Sequence, residues 1–300
     1  MTAGRGPIFI GGLSHSGKTE LRVALGTHPE ISLTRRTYLW DRYYGRFGDL
    51  ARAGHLDRCL AAMLRDEAVA ALDPDPARIR RELTDGPATY ARLFGLIHAH
   101  HAERLGKRRW GEQLGFIERF ADPIFETFPT ARMIHMVRDP RARAGEVGTQ
   151  HRRRGSAGWE TARWLRSAEL ARRNRTRYPD RYRVVRYESL ATQPEGTLRE
   201  LCVFLDEGYL GSMGEALDDM IFDPIGGRAE AIPGVMKAQA AFMDLAAADE
   251  LPRFGYEPSR PVMTAREQIA FALVDRPLNR VTMTAWRTLG RGRMPRKVAG

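Results

Sequence analysis

Eight residues near the start of the chain, Gly12-Leu-Ser-His-Ser-Gly-Lys-Thr19, fit the phosphate-binding pattern G-x-x-x-x-G-K-[ST]. A glycine turn between a strand and a helix aims backbone N–H groups and the positive helix end at an anion. Gly12, Gly17, Lys18 and Thr19 are therefore read as a phosphate cradle. The loop alone does not name the donor. A nucleoside triphosphatase also needs Mg²⁺, usually held by an acid at the end of a buried strand. The best apolar strand, Met133–Val137, runs instead into Arg138 before Asp139. A cation at that point suits a second phosphate better than a metal. Asp139 reads as the cap of a helix whose first turn carries Pro140.

These groups need a scaffold. Pro7–Gly12, Arg109–Gln113, Arg132–Val137 and Arg183–Tyr187 read as strands. Helices are expected over Thr19–Thr27, Leu56–Leu72, Ala77–Leu83, Ala88–Leu105, Gly115–Phe128, Pro140–Gln150, Gly158–Tyr178 and Glu195–Leu205. Strands separated by helices imply parallel crossovers, hence an α/β fold with a P-loop-type parallel sheet and a site at the strands' carboxyl ends. The 300 residues are read as one domain, with residues 35–105 a helical cap and residues 276–300 a basic, weakly structured tail.

Composition narrows the partners. The net charge of +11 comes almost wholly from arginine, since the lysines are Lys18, Lys107, Lys237 and Lys297. The arginines are dispersed, without an RNA- or DNA-reading motif, so a polyanionic small ligand is favoured over nucleic acid. Two distant cysteines, Cys59 and Cys202, imply neither a disulfide framework nor a zinc pattern. No apolar run of membrane-spanning length or signal segment is evident, so a cytoplasmic location is expected. Contact of the tail with an anionic membrane surface is the less favoured reading, behind a packed or frayed terminus.

The pieces HSGKTELRVALGTHPEI, GKRRWGEQ, FPTARMIHMVRDPRA, RYPDRYRVVRYESL and PEGTLRELCVFL occur in one order between residues 7 and about 210. Together they resemble the PAPS-dependent sulfotransferases, above all bacterial members close to the carbohydrate and tyrosylprotein enzymes. The resemblance implies a donor, 3′-phosphoadenosine 5′-phosphosulfate (PAPS), and a hydroxyl of a small-molecule, carbohydrate or lipid acceptor, with no metal. It assigns His15, Ser16, Gly17, Lys18 and Thr19 to the 5′ side, Arg138 to the 3′-phosphate and Tyr187 to the neighbourhood of the adenine.

The departures from the family pattern are specific. His15 stands where relatives carry their loop cation, and Lys18 replaces a threonine. Either cation would stabilise charge on the bridging oxygen as the sulfuryl group leaves. Glu146 stands where the family's 3′-phosphate serine is expected. Arg141, Arg143 and Arg152 to Arg154 are the local cations that would offset it. In the stretch 32–37 no acid occurs, and Glu112 becomes the candidate base for the acceptor's proton, against a plain role as a hydrogen-bonding residue at a strand end. His98, His100 and His101 read as a solvated or cap-facing helix rather than a metal site, His135 as a satisfied buried histidine, and Trp159 and Trp164 as packing anchors. Two other functions stay open at this stage: a P-loop kinase or triphosphatase, and a silent nucleotide-binding relative. Acceptor identity and oligomeric state are not legible.

Overall fold

The computed structural model describes residues 5–146, 154–218, 220 and 237–289, excluding the side chains of residues 145 and 146. Its centre is a five-stranded parallel sheet in the order β2-β3-β1-β4-β5. The strands are β1 (Ile8–Gly12), β2 (Ile31–Arg35), β3 (Arg109–Gln113), β4 (Arg132–Val137) and β5 (Tyr182–Arg186). Every pairing is parallel, with Ile10 of β1 opposite Gln113 of β3 on one side and Ile134 of β4 on the other. The chain builds β2 and β3 on one side of β1, then crosses to β4 and β5. The strand order thus reverses at β1, and the segments leaving β1, β2 and β3 open on one crevice, at the edge where α/β sheets bind ligands.

The helices are α1 (Lys18–Gly26), α2 (Leu39–Arg42), α3 (His55–Met63), α4 (Glu67–Ala70), α5 (Pro76–Thr84), α6 (Tyr90–Arg104), α7 (Ala121–Thr127) and α8 (Pro140–Glu146). They continue as α9 (Ser156–Arg177), α10 (Tyr187–Thr192), α11 (Pro194–Leu205), α12 (Gly211–Asp218), α13 (Lys237–Ala246), α14 (Ala265–Ala270) and α15 (Arg276–Leu289). Central β1 is buried along its whole length, and successive side chains leave by opposite faces. Phe9 and Met133 join the aromatic cluster of α2, α6 and α7, whereas Ile8, Ile10, Ile134 and Met136 pack beneath α1, α11 and α12. Of the stretch expected to cap the site, α2 to α6 build that first cluster on a face of the sheet, and Arg36 and Tyr38 at its beginning reach the crevice.

Two segments differ from the sequence reading. Residues 31–35, to which the sequence reading gave no element, form edge strand β2. Ile31 and Leu33 enter the core under α1, and the ladder to β3 completes the strand. Five residues carry too short an alternation to announce themselves without that partner. Residues 276–289 of the expected weak tail form α15, docked along α9. Gly158 permits this approach, because a Cβ there would lie 1.9 Å from the Asn279 carbonyl oxygen. The Gly158 N–H donates to Asn279 Oδ1 at 2.8 Å, and Thr282 Oγ1 donates to the Gly155 carbonyl at 2.6 Å. Residues 290–300 of the tail lie outside the described residues.

Candidate active site

The loop after β1 is shaped by backbone conformations that its glycines permit. Gly12 and Gly17 have φ of +115° and +84°, and His15 joins them in the left-handed region at +58°. Gly17 is doubly required, since a Cβ would also meet the Tyr187 ring at 2.4 Å. The result carries the chain from Gly12 into α1, whose amino end opens on a cleft of about 600 Å³. Lining it are His15, Gly17, Lys18 and Thr19 from the loop, with Arg36, Tyr38, Gln113, Phe116 and Arg163 across from them. Glu20 is the acid in this lining.

The predicted loop residues therefore come together, but with distinct roles. His15 is exposed and Thr19 half-buried at the cleft. Ser16 turns inward, donating to the Leu13 carbonyl at 2.7 Å. The Lys18 ammonium donates to the same carbonyl, and its side chain is almost fully buried. Burial lowers its pKa to about 7; the nearby Glu118 carboxylate opposes the shift, whereas Arg143 adds to it.

Glu118 was not foreseen. It sits in the 3₁₀ turn Ile117–Phe120 with no exposure, and its Oε2 accepts the Gly12 N–H at 3.0 Å. Its Oε1 lies 3.5 Å from His135 Nε2. His135 is the satisfied buried histidine expected, with Nδ1 2.6 Å from the Tyr182 hydroxyl and Nε2 2.8 Å from Ser167 Oγ. Burial depresses its pKa, against the pull of Glu118. A neutral His135 leaves the Glu118 charge to balance Lys18. Nothing in the local sequence distinguishes Glu118 from a surface glutamate. Only the crossing of β1 by this turn brings it under the loop.

Arg138 ends β4 beside the loop. Its Nη1 donates to the His15 carbonyl at 3.2 Å, and its guanidinium carbon lies 4.0 Å from the Tyr187 ring centroid. The Arg138 carbonyl accepts from Trp164 Nε1 at 3.0 Å, which bears out Trp164 as an anchor. Arg138 and Ser16 both line a small internal cavity behind the loop, along with the buried Arg143. Asp139 caps α8 as expected, accepting the Arg141 N–H at 2.8 Å. Both its carboxylate oxygens also receive the Arg141 side chain, at 2.9 and 2.6 Å, and Arg141 reaches on to Asp244 at 2.6 Å. Arg143 donates to Glu160, so these two arginines tie α8 to its neighbours. The side chain of Glu146, with Arg152 and Arg153, lies outside the described residues.

Glu112, the candidate base, stands apart from the cleft. It has no exposure, and its Oε1 accepts the Thr37 hydroxyl proton while Oε2 lies 3.5 Å from His98 Nε2. Gln113 lines the cleft in its place. His98, read as solvated or cap-facing, is buried: Nδ1 lies 3.0 Å from Thr34 Oγ1, and the ring stacks on Trp110 at 5.4 Å. Thr37 separates Arg36 and Tyr38, both left-handed at φ of +50° and +55°. The Thr37–Glu112 bond therefore pins a strained turn that presents Arg36 and Tyr38 to the cleft.

A glycine loop at the switch point of a parallel sheet, backed by a buried lysine and by an arginine just past the adjacent strand, marks a P-loop-like α/β fold. The model of the sulfotransferase family matches residues 7–209, and the chain belongs to that family. No curated protein sequence matches it. Among solved structures, the sulfotransferase domain of the Synechococcus PCC 7002 olefin synthase is 20% identical, with a TM-score of 0.46 over 95% of this chain and 96% of that one. The Alicyclobacillus acidocaldarius sulfotransferase is 18% identical, with a TM-score of 0.47 over 85% and 98%. Sulfotransferase STF9 from Mycobacterium avium is 14% identical, with a TM-score of 0.49 over 86% and 79%.

Proposed function

We propose that the chain transfers a sulfuryl group from PAPS to the hydroxyl of a small-molecule, carbohydrate or lipid acceptor. The observation that carries this reading is the meeting of two cationic side chains at one switch point: Lys18 in the loop after β1, and Arg138 just past the neighbouring strand. The loop amides, His15, Ser16, Lys18 and Thr19 would hold the 5′ side. Arg138 would exchange the His15 carbonyl for an oxygen of the 3′-phosphate, with Tyr187 beneath it. A bound anion favours the protonated form of Lys18.

In the transfer, the acceptor oxygen forms a bond to sulfur as the bond from sulfur to the bridging oxygen breaks. The electron pair of that bond passes to the phosphate oxygen, where Lys18 stabilises the developing charge. The hydroxyl proton leaves to a cleft base, for which His15 and Glu20, both lining the cleft, are the candidates. We assign Glu112 to positioning, through Thr37, because its carboxylate does not reach the cleft. Asp139 is committed to Arg141 and the start of α8, which disfavours the kinase or triphosphatase reading, where that acid would hold Mg²⁺.

Thermal unfolding with adenosine 3′,5′-bisphosphate tests the proposal against ATP with Mg²⁺. A ligand at a hundred times its Kd stabilises the folded state by about 2.7 kcal/mol. We expect the bisphosphate to raise Tm and ATP with Mg²⁺ not to. The reverse pattern overturns the donor assignment. Sulfate transfer from labelled PAPS to a panel of phenols, sugars and lipid alcohols then separates an enzyme from a silent binder.

A further inference from the structure

The side of the molecule built by α14 and α15 carries an apolar surface that the fold does not use. Of the twelve large hydrophobic side chains exposed among the described residues, seven fall within residues 262–289. Leu273 and Leu289 are each 74% exposed, Val281 65% and Ile269 61%. Along α15, Leu278, Val281, Ala285 and Leu289 recur at helical spacing and form one stripe. A surface helix of a soluble domain ordinarily turns such a stripe inward. Here the inward side is the adjacent one, anchored to α9 by Asn279 and Thr282, with Met283 packed near Phe242 and Met243. Arg276, Arg280 and Arg287 occupy a third side of the same helix. At the edge of the surface, Trp159 meets Trp286 at 6.3 Å between ring centroids and remains 43% exposed.

Charge selects the occupant. From Arg276 to Gly300 the chain has six arginines and one lysine and not one acid. An amphipathic helix with exposed leucine and valine, flanking tryptophan and an all-cationic polar side matches the composition that lies in an anionic bilayer interface. A contiguous apolar patch of this kind marks an interaction site. We propose that the α14–α15 surface docks on an anionic lipid bilayer. The helix is fastened to α9, and α9 supplies Arg163 to the cleft. Docking therefore holds the cleft at a set orientation to the lipid surface. This inference does not depend on the donor or on the reaction.

Co-sedimentation of the full chain with vesicles tests it, comparing phosphatidylcholine alone with phosphatidylcholine mixed with phosphatidylglycerol. We expect binding to the anionic vesicles, and little to the neutral ones. Arg280→Ser and Arg287→Ser should each weaken partitioning roughly fivefold, the usual worth of one basic residue near an anionic surface. Val281→Asp and Leu273→Asp should abolish it. These four positions are exposed, so unchanged thermal unfolding would confirm that each variant folds. Absent binding to anionic vesicles, equal binding to both kinds, or binding indifferent to Val281→Asp overturns the proposal. Concentration-dependent dimers in light scattering, lost in Val281→Asp and without vesicle binding, would show that a second copy covers this surface and would also overturn it.

Discussion

Replacing Lys18 with methionine should stabilise the empty protein near neutral pH. The ammonium is nearly sealed from solvent, and its pKa falls from 10.5 to about 7, chiefly by burial. A base whose folded-state pKa is depressed penalises folding fully below that pKa. The penalty lifts as pH rises from about 7 towards 10.5, because the unfolded chain then binds the extra proton. At about 1.4 kcal/mol per unit, the penalty below neutrality is roughly 5 kcal/mol. Methionine keeps most of the volume but loses the hydrogen bond to the Leu13 carbonyl, which returns about 1.5 kcal/mol. The expected gain for Lys18→Met is thus about 3 kcal/mol at about pH 6, shrinking and then reversing at about pH 10. Urea unfolding of both proteins across this range measures it. A gap that stays constant with pH, or a less stable Lys18→Met at the acid end, would refute the buried-charge argument. With adenosine 3′,5′-bisphosphate present the order should invert if the proposed donor site is right, since only the native lysine would meet the phosphate.

Glu118→Gln keeps an acceptor for the Gly12 N–H but removes the charge facing Lys18. The Lys18 pKa should drop further, and bisphosphate affinity should fall at a lower pH than in the native protein; titration calorimetry across pH would show no displacement if Glu118 were merely structural. Gly17→Ala should cost about 1–2 kcal/mol from its left-handed backbone alone, and more from the Tyr187 contact, with loss of bisphosphate binding; a fully stable, binding-competent variant would contradict the loop geometry. Thr37→Val strands the buried Glu112 carboxylate and should destabilise the fold by about 1–3 kcal/mol. Glu112→Gln, by contrast, should keep sulfate transfer at high pH and low pH alike if the carboxylate only positions the 36–38 turn, and a collapse in kcat with KM unchanged would return it to the role of base.

The sequence on its own determined the glycine loop before α1, the cation after β4, the alternation of strands and helices, and the family. Each of these rests on residues close together in the chain, where glycine, charge and apolar period carry their meaning locally. Arg109–Gln113 and Arg132–Val137 match their expected strand limits for that reason. The tertiary structure decided what each local signal faces. Strand β2 exists because β3 offers it a ladder, and α15 exists as a docked helix because Gly158 lets it approach α9. Glu112 reads as a base until the sheet buries it against Thr37 and His98, and Glu118 carries no signal until a turn lays it under Gly12. Burial and opposing charge come from distant elements meeting, so the protonation of Lys18 and the reach of a carboxylate follow from the fold and not from spacing along the chain.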